Sequence, residues 1–87
     1  MAIVQTLGLV HRLKLTDTLI LAWAYIGPDP ATAELLVILQ PIGLAPEEAA
    51  FRGAMAEALS MALATRQPVM AYHQDNSAEI TMLQLQA

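Results

Sequence analysis

The chain has 87 residues, a formal charge of −4 and hydrophobic residues at 56% of its positions. So short a chain makes one domain, expected to run over residues 1–87. With charged residues at only 14%, where roughly 25% is ordinary, a core this small cannot hold every apolar side chain, so a membrane, a partner or further copies of the chain must cover the rest.

A membrane is not expected, and among partners a nucleic acid is not. The longest unbroken apolar run, Leu19 to Ile26, is eight residues, whereas a spanning helix needs about 20. The fixed cations, Arg12, Lys14, Arg52 and Arg66, are too few and too scattered for a nucleic acid or an anionic bilayer surface, both of which are bound through clustered positive charge. The first residues, Met1 to Thr6, carry no basic stretch and no signal-peptide core. With no cysteine, neither a disulfide framework nor a thiolate metal site arises. These features fit a cytoplasmic protein that associates with itself.

The elements follow in chain order. Residues 3–15 alternate as one long strand, with Leu7, Leu9, His11, Leu13 and Leu15 on one face and Val4, Thr6, Gly8, Val10, Arg12 and Lys14 on the other. Gly8 inside it marks a bulge, a bend or a close backbone approach. Thr16-Asp17 is a tight turn. Residues 18–26 and 33–40 are strands apolar on both faces, so both faces are expected to be covered; Gly27-Pro28-Asp29-Pro30 joins them. Residues 46–65 form a helix that starts at Pro46. Glu47 and Glu48 favour its first-turn dipole, and Pro68 prevents its continuation. Residues 69–73 and 79–86 are two further strands around the loop 74–78. No internal repeat, low-complexity tract or linker is present.

The order strand-strand-strand-helix-strand-strand, with a long first strand interrupted at Gly8, resembles the OB-fold. That resemblance implies an α+β, mainly β domain: a five-stranded antiparallel barrel with one helix between strands three and four. Among OB-folds the order is most similar to the ring-forming B-subunits of bacterial toxins such as cholera toxin. It implies a homo-oligomeric ring, a pentamer in that family, with a helix of each subunit around a central channel. The other architecture open to this order is a two-layer sandwich with the helix over an antiparallel sheet.

The helix carries two stripes. Phe51, Met55, Ala58, Leu59 and Ala62 form the one expected to pack on the sheet. Opposite run Ala49, Gly53, Ala56, Ser60 and Ala64, all small, flanked by Arg52 and Glu57. A solvent face filled with alanine for helix propensity accounts for most of that stripe. It does not account for Gly53, which costs about 1 kcal/mol relative to Ala in a helix interior. Close approach by a neighbouring subunit does, because small residues let helix axes come nearer. Arg52 and Glu57 on opposite flanks suit a head-to-tail contact.

No GxGxxG, P-loop, GxSxG or HExxH pattern is present. No nucleophile–base or acid–base pair is identifiable, so an enzyme is not expected, and neither is a cofactor. His11 and His73, with Asp75 or Glu79, lack any metal-ligand spacing. Trp23 and Tyr25 share one strand face, where apolar neighbours favour a core or subunit interface over a stacking platform. Together with Tyr72 and His73 they are the candidate contacts for a carbohydrate or a small apolar molecule. Their placement discriminates the two function classes. Buried or between subunits, they serve assembly in a structural or adaptor protein; converging in an open cleft, they serve binding.

Overall fold

The structure is a computed structural model and describes residues 2–85. Its elements are β1 (Ile3–Leu15), β2 (Ile20–Gly27), β3 (Glu34–Leu39), α1 (Pro46–Thr65), β4 (Val69–Gln74) and β5 (Met82–Leu85). The class is α+β and mainly β, as expected. The helix has the expected bounds. The strands differ from expectation at their ends, most at β5: the segment 79–81 before it is not part of the strand, and Gln86 lies outside the described residues.

All ladders are antiparallel, in the order β3-β2-β1-β4-β5. The sheet is open, where a closed barrel was expected. Between β3 and the approach to β5 there is one parallel bridge, Val37 to Glu79. It is held by the Val37 N–H on Ala78 O and the Ile80 N–H on Val37 O, each 2.8 Å.

β1 serves two neighbours in turn. Ile3 to Gly8 pair with β4, and Leu9 to Leu15 pair with β2. Gly8 sits at the handover with φ +153°, and a Cβ on it would stand 2.2 Å from the carbonyl carbon of Gly27. Only glycine allows so close a backbone approach. The single alternation expected along β1 is broken by a bulge between Val10 and Arg12. Thr6 and Val10 face inward before it, and Leu13 packs on the core after it. An extra residue reverses the side-chain phase, because the strand period is two.

The core lies between the sheet and α1. Ala22, Ala24 and Ile26 of β2, Leu36 and Ile38 of β3, Val69 and Ala71 of β4, and Met55, Leu59 and Ala62 of α1 are buried in it. Phe51, expected in the packing stripe, is 48% exposed. Ala56, expected on the outward stripe, is instead buried. At the helix start the Glu48 carboxylate accepts the Ala45 N–H at 3.2 Å, the return half of a capping box. Ala22 and Ala24 are the inward residues in the middle of β2, and the aromatic side chains between and after them, Trp23 and Tyr25, alternate outward, while Leu21 packs against the core. On the outer faces of β2 and β3, Tyr25 and Leu35 are exposed in the protomer, so the cover expected for those faces is not supplied within one chain.

Candidate ligand-binding face

The register of the β1–β2 turn decides which way the two cations of β1 point. After the bulge, Arg12 stands opposite Tyr25 and Lys14 opposite Trp23 across the β1–β2 ladder. Cross-strand neighbours on one face have Cβ atoms about 4.5–5.5 Å apart. Each aromatic side chain thus has a cation directly beside it. The Arg12 guanidinium carbon lies 6.0 Å from the centre of the Tyr25 ring, within cation–π range. Trp23 is half-buried and Tyr25 exposed; neither is in the core that their apolar neighbours suggested.

Two depressions adjoin on this face. One, of about 230 Å³, is lined by Arg12, Lys14, Trp23 and Tyr25. The other, of about 310 Å³, is lined by His11, Arg12, Tyr25 and Pro30. Arg12 and Tyr25 line both, so the two depressions meet at that pair and together make up the trough of this face. His11 is the bulge residue, and its Nε2–H donates to Gly27 O at 2.8 Å. No carboxylate lines either depression. Among the described residues the one contact within 4.0 Å between a basic and an acidic side chain is that of His73 with Glu34, so neither Arg12 nor Lys14 is neutralised by an ion pair there.

The other candidate contacts lie elsewhere. Tyr72 is on β4, where its hydroxyl donates to Gln84 Oε1 at 3.1 Å. His73 is buried and cannot meet a ligand. Its Nδ1 faces Gln74 O at 2.9 Å and Ser77 O at 2.8 Å. Its Nε2 lies 3.0 Å from Thr6 Oγ1, and that hydroxyl donates to Glu34 Oε1 at 3.1 Å. Thr6, His73 and Glu34 thus tie β1, β4 and β3 together. His11 and His73 do not converge, and among the described residues no group of three or more His, Cys, Asp or Glu is placed to hold a metal. Among the same residues, no helix is long and apolar enough to cross a membrane.

Of the small-residue stripe on α1, Ala49, Gly53 and Ala64 are exposed with Glu57 beside them, and Ser60 is half-buried. A Cβ on Gly53 would meet nothing within 4 Å. Arg52 does not point freely at a neighbour as expected: its Nε donates to Leu39 O at 2.8 Å and its Nη1 to Glu48 O at 3.2 Å, fastening α1 to the end of β3.

Arg12 and Lys14 were not among the residues expected to form a site. The signal lay in the register. Folding the chain about Thr18 and Leu19 opposes Lys14 to Trp23 and Arg12 to Tyr25, provided the bulge at His11 is ignored on the far side. Comparison of the chain with protein-family models, with curated proteins and with solved structures finds no match.

Proposed function

We propose that the protein is a non-enzymatic binding module that takes a small ring-bearing molecule on the outer face of β1 and β2. The observation that carries this reading is that Trp23 and Tyr25 line one open depression together with Arg12 and Lys14, with His11 in the adjoining one. An indole and a phenol ring held side by side offer apolar faces for a flat ligand to stack on. Concave apolar surface with a few fixed polar groups is the usual form of a small-molecule site. We read its scaffold as OB-like with an open sheet, a reading supported by β1 passing from one neighbour to another, by α1 between β3 and β4, and by the Val37–Glu79 bridge from edge strand β3 to the segment before β5.

The test follows the indole N–H of Trp23, the only tryptophan, by NMR during titration with a panel of aromatic fragments and neutral disaccharides. Movement of that resonance together with those of Tyr25 and His11 is expected. An indole resonance that no compound shifts, in a protein whose Trp23 is shielded by self-association, removes the binding reading.

Self-association into a ring is the second reading, and a separate observation favours it. The protomer exposes 5258 Å², close to the roughly 5,000 Å² expected of a folded chain of this mass. Loose packing therefore does not explain why Leu15, Leu19, Phe51, Met61 and Met82 are all about half exposed. Self-association would cover these side chains. Native mass spectrometry gives the subunit number; a 9.4 kDa species alone at micromolar concentration would exclude the ring.

A further inference from the structure

We infer that the ligand of this face is an aromatic carboxylic acid: a flat apolar ring with the acid group on the ring itself or one carbon away. The inference rests on the binding reading above and adds the charge and the polarity of the occupant. Three observations on the trough carry it.

The first is the pairing. Arg12 stands directly across from Tyr25, and Lys14 from Trp23. A ring stacked on either aromatic side chain therefore has a cation about one cross-strand spacing away. An acid group borne directly on the ring reaches that cation. A phosphate held away from its base by a ribose, as in a nucleotide, does not match so short an offset.

The second is the charge. On a chain of net charge −4, two of the four fixed cations meet here, unneutralised by any carboxylate among the described residues. Arg12 rests near the Tyr25 ring, a weak attraction at an exposed site. A carboxylate offers it a charge-assisted, two-pronged hydrogen bond instead.

The third is what the trough lacks. Its lining is Arg12, Lys14, Trp23, Tyr25, His11 and Pro30. No Asp, Glu, Asn or Gln is among them, and the His11 Nε2–H is already engaged by Gly27 O. A sugar presents several hydroxyls that donate as well as accept, and this lining offers few side-chain acceptors for them. An apolar ring with one acid group leaves no such donor unpaired.

The experiment compares 2-naphthoate with 2-naphthamide, which keeps the ring system and removes the charge. Calorimetry gives affinities, and the Trp23 indole resonance reports the site. The acid is expected to bind at roughly millimolar concentration or tighter, and at least about ten-fold more tightly than the amide, the factor one charge-assisted hydrogen bond supplies. Raising the salt concentration should narrow that ratio. The double variant Arg12→Gln/Lys14→Gln, folded by far-UV circular dichroism, should bring it to near one. Equal binding of acid and amide to the native protein overturns the acid-group inference and leaves the binding reading intact. A neutral disaccharide or thymidine monophosphate that moves Trp23 more than naphthoate does likewise overturns it. If no compound of any class moves Trp23, the inference and the binding reading fall together.

Discussion

Thr6 and Arg12 stand on the same strand on either side of the handover at Gly8, and their polar groups meet opposite circumstances. Thr6 is buried, and its hydroxyl is matched by His73 on one side and Glu34 on the other. Arg12 points outward after the bulge, beside an aromatic ring and without a carboxylate partner among the described residues. Burial compels the first arrangement, since a hydroxyl taken from water without partners costs roughly 1–3 kcal/mol in proteins. Water permits the second. Polar groups satisfied within the chain hold strands together; those left open on a shaped, aromatic surface are available to a ligand.

The strongest way to break this comparison is at the handover itself. Gly8→Val sets a branched side chain against the backbone of Gly27, at a φ that β-branched residues avoid. It should cost about 3 kcal/mol or more, combining backbone strain with overpacking. Both regions should be lost together, which urea unfolding and a collapse of amide dispersion would report. Retention of native stability would mean that β1 does not bend over Gly27 as described.

Thr6→Val separates the regions. It removes the hydroxyl between His73 and Glu34 while keeping the shape of the side chain. A loss of about 1–3 kcal/mol in urea unfolding is expected, because His73 Nε2 is left buried without its partner. The Trp23 indole resonance should stay where it is. A stable Thr6→Val protein with a displaced Trp23 would reverse the roles assigned to the two halves of β1.

Gly53 sharpens the contrast by adding a surface on which the chain lacks a ligand-like feature. Gly53→Ala should raise stability by up to about 1 kcal/mol through helix propensity, seen as a higher urea midpoint. Gly53→Leu should leave the protomer folded, since a Cβ there meets nothing within 4 Å. If native mass spectrometry shows that leucine shifts the protein to smaller species, the small-residue stripe is a subunit contact. If the species distribution is unchanged, that stripe faces solvent and the self-association must use other surface.

The smallest stability effect is expected on the trough. Lys14→Gln should change the unfolding free energy by less than about 0.5 kcal/mol, as surface substitutions away from packed features do, while weakening naphthoate binding. A stability loss well above that figure would show that Lys14 supports the sheet rather than serving the face.

Local features of the chain determined much of this structure. Pro46, the acidic first turn, the run of strong helix formers and Pro68 delimit α1 by backbone chemistry alone, and the structure has those bounds. The five strands and their order along the chain follow from apolar runs separated by turn residues. Gly8 was legible as a special position, though not which of a bulge, a bend or a close approach it served. It serves the approach to Gly27, and the bulge lies beyond it at His11. Only the tertiary structure decided which face of each strand is inside. Hydrophobicity alone puts Trp23 and Tyr25 in the core, but α1 and the sheet meet over Ala22 and Ala24, and their rings are turned outward. The register of the β1–β2 turn sets Arg12 and Lys14 beside them, and a one-residue bulge, invisible to a period-two pattern, lets the other half of β1 turn Thr6 and Val10 inward. Likewise Thr6, Glu34 and His73 are far apart along the chain, and only the pairing of β1 with β4 and the reach of β3 bring them together. Periodicity reports which residues share a face; which face is buried depends on what packs against it, and that is a property of the assembled chain.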